Sequence, residues 1–427
     1  MRKATIQEYR DRYNSLTTNE ERFALITELY NLVHSRTRQT TEQFYTVGEK
    51  GASRQKLNDR AINLIEEFNN DPNKKPTDAE KQVLAQFSGF GGGLIDKTTG
   101  QKGSVYEYYT PKPIAEGVWD CLQGLGFSGG KILDPSAGTG IFGATAPLNA
   151  AVDAVELSSL SGRVSQLVND GPGYNTTISN FEKVAAKTRD NVYDAVVTNV
   201  PFGAVADRGA NRMDDSRYQD DPLEVYFILR SLEKLKPNGL AAFIVPMSCV
   251  SGKGGKPEEL RTKATMMAEF VGAYRLPSGT FSTASTDTAT DVIFFRKFSD
   301  ETAEKIAELR EQKPELLSEA KIQWETFIEG KYFDSYEGKK YVLSEFVAKD
   351  PTKFRDVDKV ISNADLNDLR EILRTRKLPK SRINWELLET SETTPIVYNE
   401  GDTINHAGCA LVMRNGVWVQ LAKKSED

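Results

Sequence analysis

Histidine is nearly missing from this chain: among 427 residues only His34 and His406 occur, far apart. A His-based catalytic triad or a histidine zinc site would have little to work with. Cysteine is almost as scarce. Cys121, Cys249 and Cys409 are widely spaced and form no CxxC pair. That argues against a disulfide scaffold or a thiolate metal site, and it suits a reducing compartment. No apolar run approaches the length of a membrane span. The opening MRKATIQEYRDRYN has no apolar core of the signal-peptide kind. The expectation is a cytoplasmic protein. Strong charge of one sign is absent too, with 55 Lys and Arg against 61 Asp and Glu and a net charge of −6. Such a balance neither marks nor excludes a nucleic-acid partner, because a local basic surface is enough.

What is present is a soluble, globular composition, 39% hydrophobic and 27% charged, on a chain too long for one typical core. Three regions are expected. Residues 1–90 read as helical: in ERFALITELYNLVHS, Phe23, Ile26, Leu29, Tyr30 and Val33 recur at helical spacing. Thr77 is a candidate N-cap, with Glu80 completing a capping box. From 91 to 298, strand-like runs alternate with helical patterns: KILDPS, VDAVEL, TTIS, DAVVTN, LAAFIVP, EFVGAYRLP and DVIFFRK. That alternation predicts an α/β fold with a doubly wound, mostly parallel, seven-stranded Rossmann-like sheet. One of the last two strands, joined by the long PSGTFSTASTDTAT, is a candidate to run antiparallel. Residues 299–427 read as a small α+β region, charged at first, interrupted by Pro314, and ending in a hairpin about Arg414-Asn415-Gly416-Val417.

Two stretches carry chemistry. ILDPSAGTGIF (132–142) is a strand ending at Asp134, followed by Gly138 and Gly140 in a tight turn into a helix. Glycines let backbone approach a ligand closely. The loop lacks the Lys-Ser/Thr of a phosphate-cradling loop, and its leading carboxylate suits a ligand that carries an ammonium. A plain strand-to-helix turn would read the same way. The next strand ends at Glu156, where a carboxylate can accept both hydroxyls of a ribose. YDAVVTNVPFG (193–203) is an apolar strand that stops on an amide, a proline and an aromatic ring. At the carboxyl end of a strand in an open α/β sheet, that is where ligands bind.

In order, DPSAGTG, Glu156 and TNVPFG resemble the motif series of S-adenosylmethionine-dependent amino methyltransferases that act on DNA bases. VYEYYTPKPIAEGVWD (105–120) resembles that family's Tyr-Thr-Pro cofactor motif, and its place before the glycine loop is similar to the gamma-class adenine-N6 methylases. FSGFGGG (87–93) and VGAYRLPSGTF…TATDVIFFRK further resemble phage and mobile-element methylases, some fused to helicases and some linked to antirestriction. The resemblance covers about residues 82–298. It implies the following roles. Tyr109, Thr110 and Pro111 line the methionine end of S-adenosylmethionine. Asp134, Ser136, Gly138 and Gly140 hold its amino-acid portion, and Glu156 binds the ribose. Asn180 and Phe181 match a motif that usually reads Asp-Phe, so Phe181 packs on the adenine and the Asn180 amide oxygen accepts its amino hydrogen. Asn199, Val200, Pro201 and Phe202 form the catalytic motif, with valine where the usual form has a first proline.

The chemistry such a motif needs can be stated. An exocyclic adenine amine is a poor nucleophile because its lone pair is delocalised into the ring. Two acceptors on its hydrogens, the Asn199 side-chain oxygen and the Val200 carbonyl, favour a pyramidal nitrogen and stabilise the positive charge that develops. Pro201 fixes the turn. Phe202 stacks on a base flipped from the helix.

The expected reaction is therefore methylation of DNA adenine at N6, with relaxed sequence specificity, in protection of phage or mobile-element DNA from restriction. DNA is the expected partner, other phage or mobile-element proteins further ones, and no membrane. A phage-encoded chain would work in the host cytoplasm or travel in the virion. Cytosine N4, an RNA base or a protein glutamine would also present an amino group to this motif. An inactive methyltransferase fold kept as a binding protein is the third reading. Candidates for phosphate contact are Arg208, Arg212 and Arg217 in the loop after the catalytic motif, then Lys253, Lys256 and Arg261, then Arg370, Arg374, Arg376, Lys377, Lys380 and Arg382. Each basic stretch also reads as a solvated loop or helix end.

Overall fold

Seven runs form the strands β1 (Gly130–Asp134), β2 (Ala150–Glu156), β3 (Tyr174–Ile178), β4 (Tyr193–Asn199), β5 (Leu235–Pro246), β6 (Ala268–Arg275) and β7 (Thr290–Lys297) of one sheet. Their order is β3-β2-β1-β4-β5-β7-β6. β1 to β5 pair in parallel, and β7 runs antiparallel between β5 and β6. Residues 240–245 of β5 and the whole of β6 are buried without alternation, as strands covered on both faces require. This is the doubly wound α/β architecture expected, and β7 is the antiparallel member of the last pair.

The computed structural model describes residues 3–18, 21–22, 25–26, 29, 38–46, 52–90, 94, 109–201, 214–281, 289–349, 358–390, 400–406, 409–414 and 417–420. Before the sheet come helices α1 (Lys3–Ser15), α2 (Ala52–Asn70), α3 (Asp78–Leu84) and α4 (Lys112–Gly124). Between its strands run α5 (Ile141–Thr145), α6 (Ser159–Asn169), α7 (Phe181–Lys187), α8 (Leu223–Lys234) and α9 (Gly255–Met267); α10 (Asp300–Gln312) and α11 (Leu366–Thr375) follow. Thr77 caps α3 as expected: its side chain accepts from the Glu80 amide, and the Glu80 carboxylate accepts from the Thr77 amide at 2.8 Å. α10 stops before Pro314, whose ring cannot continue the helix above it. Most of the helix expected over 21–35 lies outside the described residues.

Two compact units result, Met1–Ile383 and Asn384–Asp427. In the first, residues before 91 and after 298 share one hydrophobic core with the sheet: Phe44, Ile65 and Phe87 from the former, Phe327, Tyr332 and Leu373 from the latter. Phe327 stacks on Phe270 of β6 with ring centres 3.6 Å apart and planes 4° off parallel. Such a pair contributes about 0.5–1.5 kcal/mol beyond its buried area. α11 packs on α4 at Gly117, where an added Cβ would stand 2.7 Å from Leu373 Cδ1. The second unit holds a three-stranded antiparallel sheet in which Arg414 pairs with Val417, the hairpin expected there.

Candidate active site

The strand order reverses beside β1: β2 lies on one side and β4 on the other. At such a switch point the connections leave in opposite directions and open a crevice at the carboxyl edge. The sequence places its candidates along that edge. Asp134 ends β1, Glu156 ends β2, Asn180 follows β3 by two residues, and Asn199 ends β4.

The glycine loop is built from its own backbone and from neighbours behind it. Gly138 and Gly140 have φ of +56° and +93°, left-handed values that favour glycine. The Ala137 amide donates to the Val155 carbonyl at 2.9 Å, and the Gly140 amide to the Ala137 carbonyl at 2.8 Å. Behind the loop, Tyr45 donates its hydroxyl to the Thr139 carbonyl at 2.5 Å, and Asn169 of α6 donates to the Tyr45 oxygen at 2.7 Å. The buried Arg38 guanidinium donates to the carbonyls of Gly143, Ala146 and Pro147 at the end of α5. Motif reading missed Arg38, Tyr45 and Asn169. No local pattern marks them, because these partners stand 94 to 124 positions away in sequence.

Asp134 is 2% exposed. Its Oδ1 lies 3.4 Å from the amide nitrogen of the half-buried Ser136, and its Oδ2 accepts no hydrogen bond of ordinary geometry. Burial pushes its carboxyl up to about 7. Glu156 receives the Gly138 amide on one oxygen and the Ser158 amide on the other, both at 2.7 Å. Each carboxylate oxygen has a second lone pair for a ligand hydroxyl. Tyr109 lies across the loop, its ring 3.2 Å from where a Gly138 Cβ would stand, and its hydroxyl shares a 2.5 Å hydrogen bond with Ser161 of α6. Pro111 caps α4, its carbonyl accepting from the amides of Ile114 and Ala115.

Thr110 is the link between the motifs. It is buried, and its Oγ1 accepts from the Asn199 side-chain amide at 3.3 Å. Val200 is buried and donates its amide to Ile244 of β5. Pro201 is half-buried at the end of the described segment. Phe202, Arg208 and Arg212 lie outside the described residues. A cavity of about 110 Å³ opens beside Thr110, walled by Tyr45, Phe87, Tyr109, Lys112 and Thr139 among others.

Asn180 and Phe181 stand where α7 begins. The Asn180 oxygen caps α7 by accepting from the Lys183 amide at 3.1 Å, while its nitrogen donates to Asp214 at 2.8 Å. Phe181 is buried, with its ring 5.1 Å from Phe227 and 6.0 Å from Tyr226. The basic candidates divide. Arg261 is wholly buried and donates to carbonyls, including Ile328 and Gly252. Arg382 pairs with Glu337 and donates to the Val271 carbonyl. Arg217 pairs with Asp190 and Glu233, Lys256 with Asp221 and Glu259, Arg370 with Glu116 and Asp120, and Arg374 with Glu371. Arg376 donates to the Lys340 carbonyl. Lys253, Lys377 and Lys380 have no ion-pair partner among the described residues, and all three are exposed.

Comparison with known proteins adds the following. Residues 172–368 match a family model described as N-6 DNA Methylase. The chain is 38% identical over 370 residues to the Defense against restriction protein B of Escherichia phage P1, a match covering 86% of this chain and 15% of that protein. The chain thus spans about 15% of the length of the curated relative it matches. Among solved structures it is similar to the M protein of the type I restriction enzyme EcoKI, at 18% identity, over 70% of this chain and 67% of that one, with a TM-score of 0.38. It is also similar to the type IIG restriction endonuclease BpuSI, at 17% identity, over 69% and 39%, with a TM-score of 0.39. Among the described residues no helix is long and apolar enough to cross a membrane.

Proposed function

We propose that this chain is an S-adenosylmethionine-dependent methyltransferase that acts on the exocyclic N6 amine of adenine in DNA, with relaxed sequence specificity. The single observation that carries this reading is the Asn199–Thr110 hydrogen bond. It joins the amine-gripping end of β4 to the Tyr-Thr-Pro segment that would border the cofactor. The matches to an N-6 DNA Methylase model and to a phage defence-against-restriction protein support the same reading. They also support a role in protecting phage or mobile-element DNA from restriction.

The residues present fit the cofactor. Asp134 offers a buried carboxylate oxygen without an ordinary hydrogen bond, suited to the electropositive amino-acid end. Glu156, fixed by two backbone amides, offers its remaining lone pairs to the ribose hydroxyls. Gly138 leaves room between the loop and Tyr109. When bound, the cofactor supplies a methyl group on a positively charged sulfur.

This chain's own groups prepare the acceptor. The Asn199 amide nitrogen is turned to Thr110, so its oxygen faces another direction, where it can accept from the adenine amine. The Val200 carbonyl is the second acceptor. Both stabilise positive charge as it grows on the nitrogen, and the Asn199 amide is already held by Thr110 when the base arrives. Pro201 holds the turn that presents them.

The test is mass spectrometry of nucleosides from unmethylated duplex DNA incubated with the protein and S-adenosylmethionine, beside an Asn199→Ala variant. N6-methyladenine from the wild type alone is the expected result. Methyl label on protein or RNA, with DNA unlabelled, would overturn the DNA reading.

A further inference from the structure

Asp214 and Asp215 are adjacent acids with opposite surroundings. Asp215 is buried and accepts from the Tyr226 hydroxyl at 2.8 Å, the Arg230 Nε at 2.7 Å and the Arg217 amide at 3.1 Å. Arg230 is itself fixed by Asp190, Glu233 and the Ala185 carbonyl. This network pins the backbone of the segment to α8. Asp214 is exposed and pairs with no cation among the described residues. Its carboxylate is held by the Asn180 amide nitrogen at 2.8 Å.

The position of that carboxylate is specific. Ile178, the last residue of β3, pairs with Glu156, the last residue of β2. Neighbouring strands stand about 4.8 Å apart. A nucleoside whose ribose is held at Glu156 would therefore have the end of β3, where Asn180 and Asp214 meet, within reach of its base. Asn180 itself is poorly suited to accept a hydrogen bond there. Its oxygen caps α7, and its nitrogen is a donor aimed at Asp214.

We infer that Asp214 accepts the 6-amino hydrogen of the cofactor's adenine, with Asn180 as the residue that positions it. The inference rests on the methyl-transfer reading. The charge that position 180 lacks is supplied from 34 residues downstream and held in place by the amide. A carboxylate makes a stronger acceptor for an amine than a neutral amide does.

Titration calorimetry of the full chain tests it with two ligands, S-adenosylhomocysteine and its purine-riboside analogue lacking the 6-amino group. The wild type should prefer the amino-bearing ligand by about tenfold or more. Asp214→Ala should bring the two affinities within about twofold, mainly by weakening the amino-bearing ligand. Asn180→Asp in the Asp214→Ala background should restore the preference, since it puts a carboxylate oxygen within 2.8 Å of where Asp214's stood and keeps a good N-cap. Melting curves would show that each variant is folded. An Asp214→Ala protein that keeps the wild-type preference would overturn the assignment. A wild type that binds neither ligand would overturn the cofactor reading, and this inference with it.

Discussion

Asn199 donates its side-chain amide to Thr110 Oγ1 at 3.3 Å, across 89 positions of sequence. The bond ties the end of β4 to the segment that enters α4, and it sets which atom of the amide faces the acceptor base. Thr110→Val keeps the shape and removes the acceptor. On the proposed function it should lower kcat about tenfold, since a mis-set amide loses roughly 1.4 kcal/mol of transition-state stabilisation. S-adenosylhomocysteine affinity should change much less, and Thr110→Ser should behave as wild type. Steady-state methylation kinetics beside calorimetry read both quantities; an unchanged kcat in Thr110→Val would show that the bond does not orient the amide.

Asp134 makes a prediction about pH. Burial pushes its carboxyl up to about 7, against about 4 in an unfolded chain. Between those values the folded protein keeps a proton that the unfolded chain has released. Stability from this group therefore falls as pH rises through that window and stays low above it. Asp134→Asn should abolish the dependence, so its melting temperature should exceed the wild type's above about pH 7, with the margin shrinking toward about pH 4. It should also lose cofactor affinity. Melts across that range check the first point, and a margin that does not grow with pH would contradict it.

The two loop glycines should differ. A Cβ on Gly140 would stand 2.5–2.7 Å from Asn169, Tyr174 and Ser165, at a φ of +93°. Gly140→Ala should cost about 3 kcal/mol, from left-handed strain and overpacking together. A Cβ on Gly138 meets only the Tyr109 ring, at 3.2 Å. Gly138→Ala should cost about 1 kcal/mol in stability and act chiefly on cofactor binding. Urea unfolding of the pair separates the two effects.

The basic residues make a fourth contrast. Lys377 and Lys380 are exposed and without ion-pair partners among the described residues. Replacing both by Ala should leave the melting temperature unchanged, lower DNA affinity, and reduce the salt slope of binding by about 1–2. Arg382, paired with Glu337 and set over Trp324 and Tyr332, should do the reverse. Arg382→Ala should cost about 2 kcal/mol of stability, because it strips the guanidinium from Trp324, Tyr332 and the Val271 carbonyl and leaves Glu337 with Lys321 alone. Filter binding across salt concentrations and thermal melts distinguish these outcomes.

The strands were legible because each is an apolar run closed by a turn signal, and the Thr77 capping box because it is local. The edge positions of Asp134, Glu156 and Asn199 were legible for the same reason: a strand end can be read without knowing its neighbours. Partnership was not. Nothing near Arg217, Arg261 or Arg382 in sequence shows that a carboxylate, a backbone carbonyl or an aromatic ring awaits the charge. A basic stretch reads alike whether it faces solvent or the core. The pairing of Asn180 with Asp214 was hidden in the same way.

The grip of Arg38 and Tyr45 on the glycine loop has a consequence for how such a chain can be inherited. Tyr45 reaches Thr139, and Arg38 reaches the end of the helix that follows. A recombination that moved the sheet alone into another protein would lose the Tyr45 bond to Thr139 and the Arg38 bonds to Gly143, Ala146 and Pro147. The transferable piece of this molecule therefore begins upstream of residue 38, well ahead of the first strand.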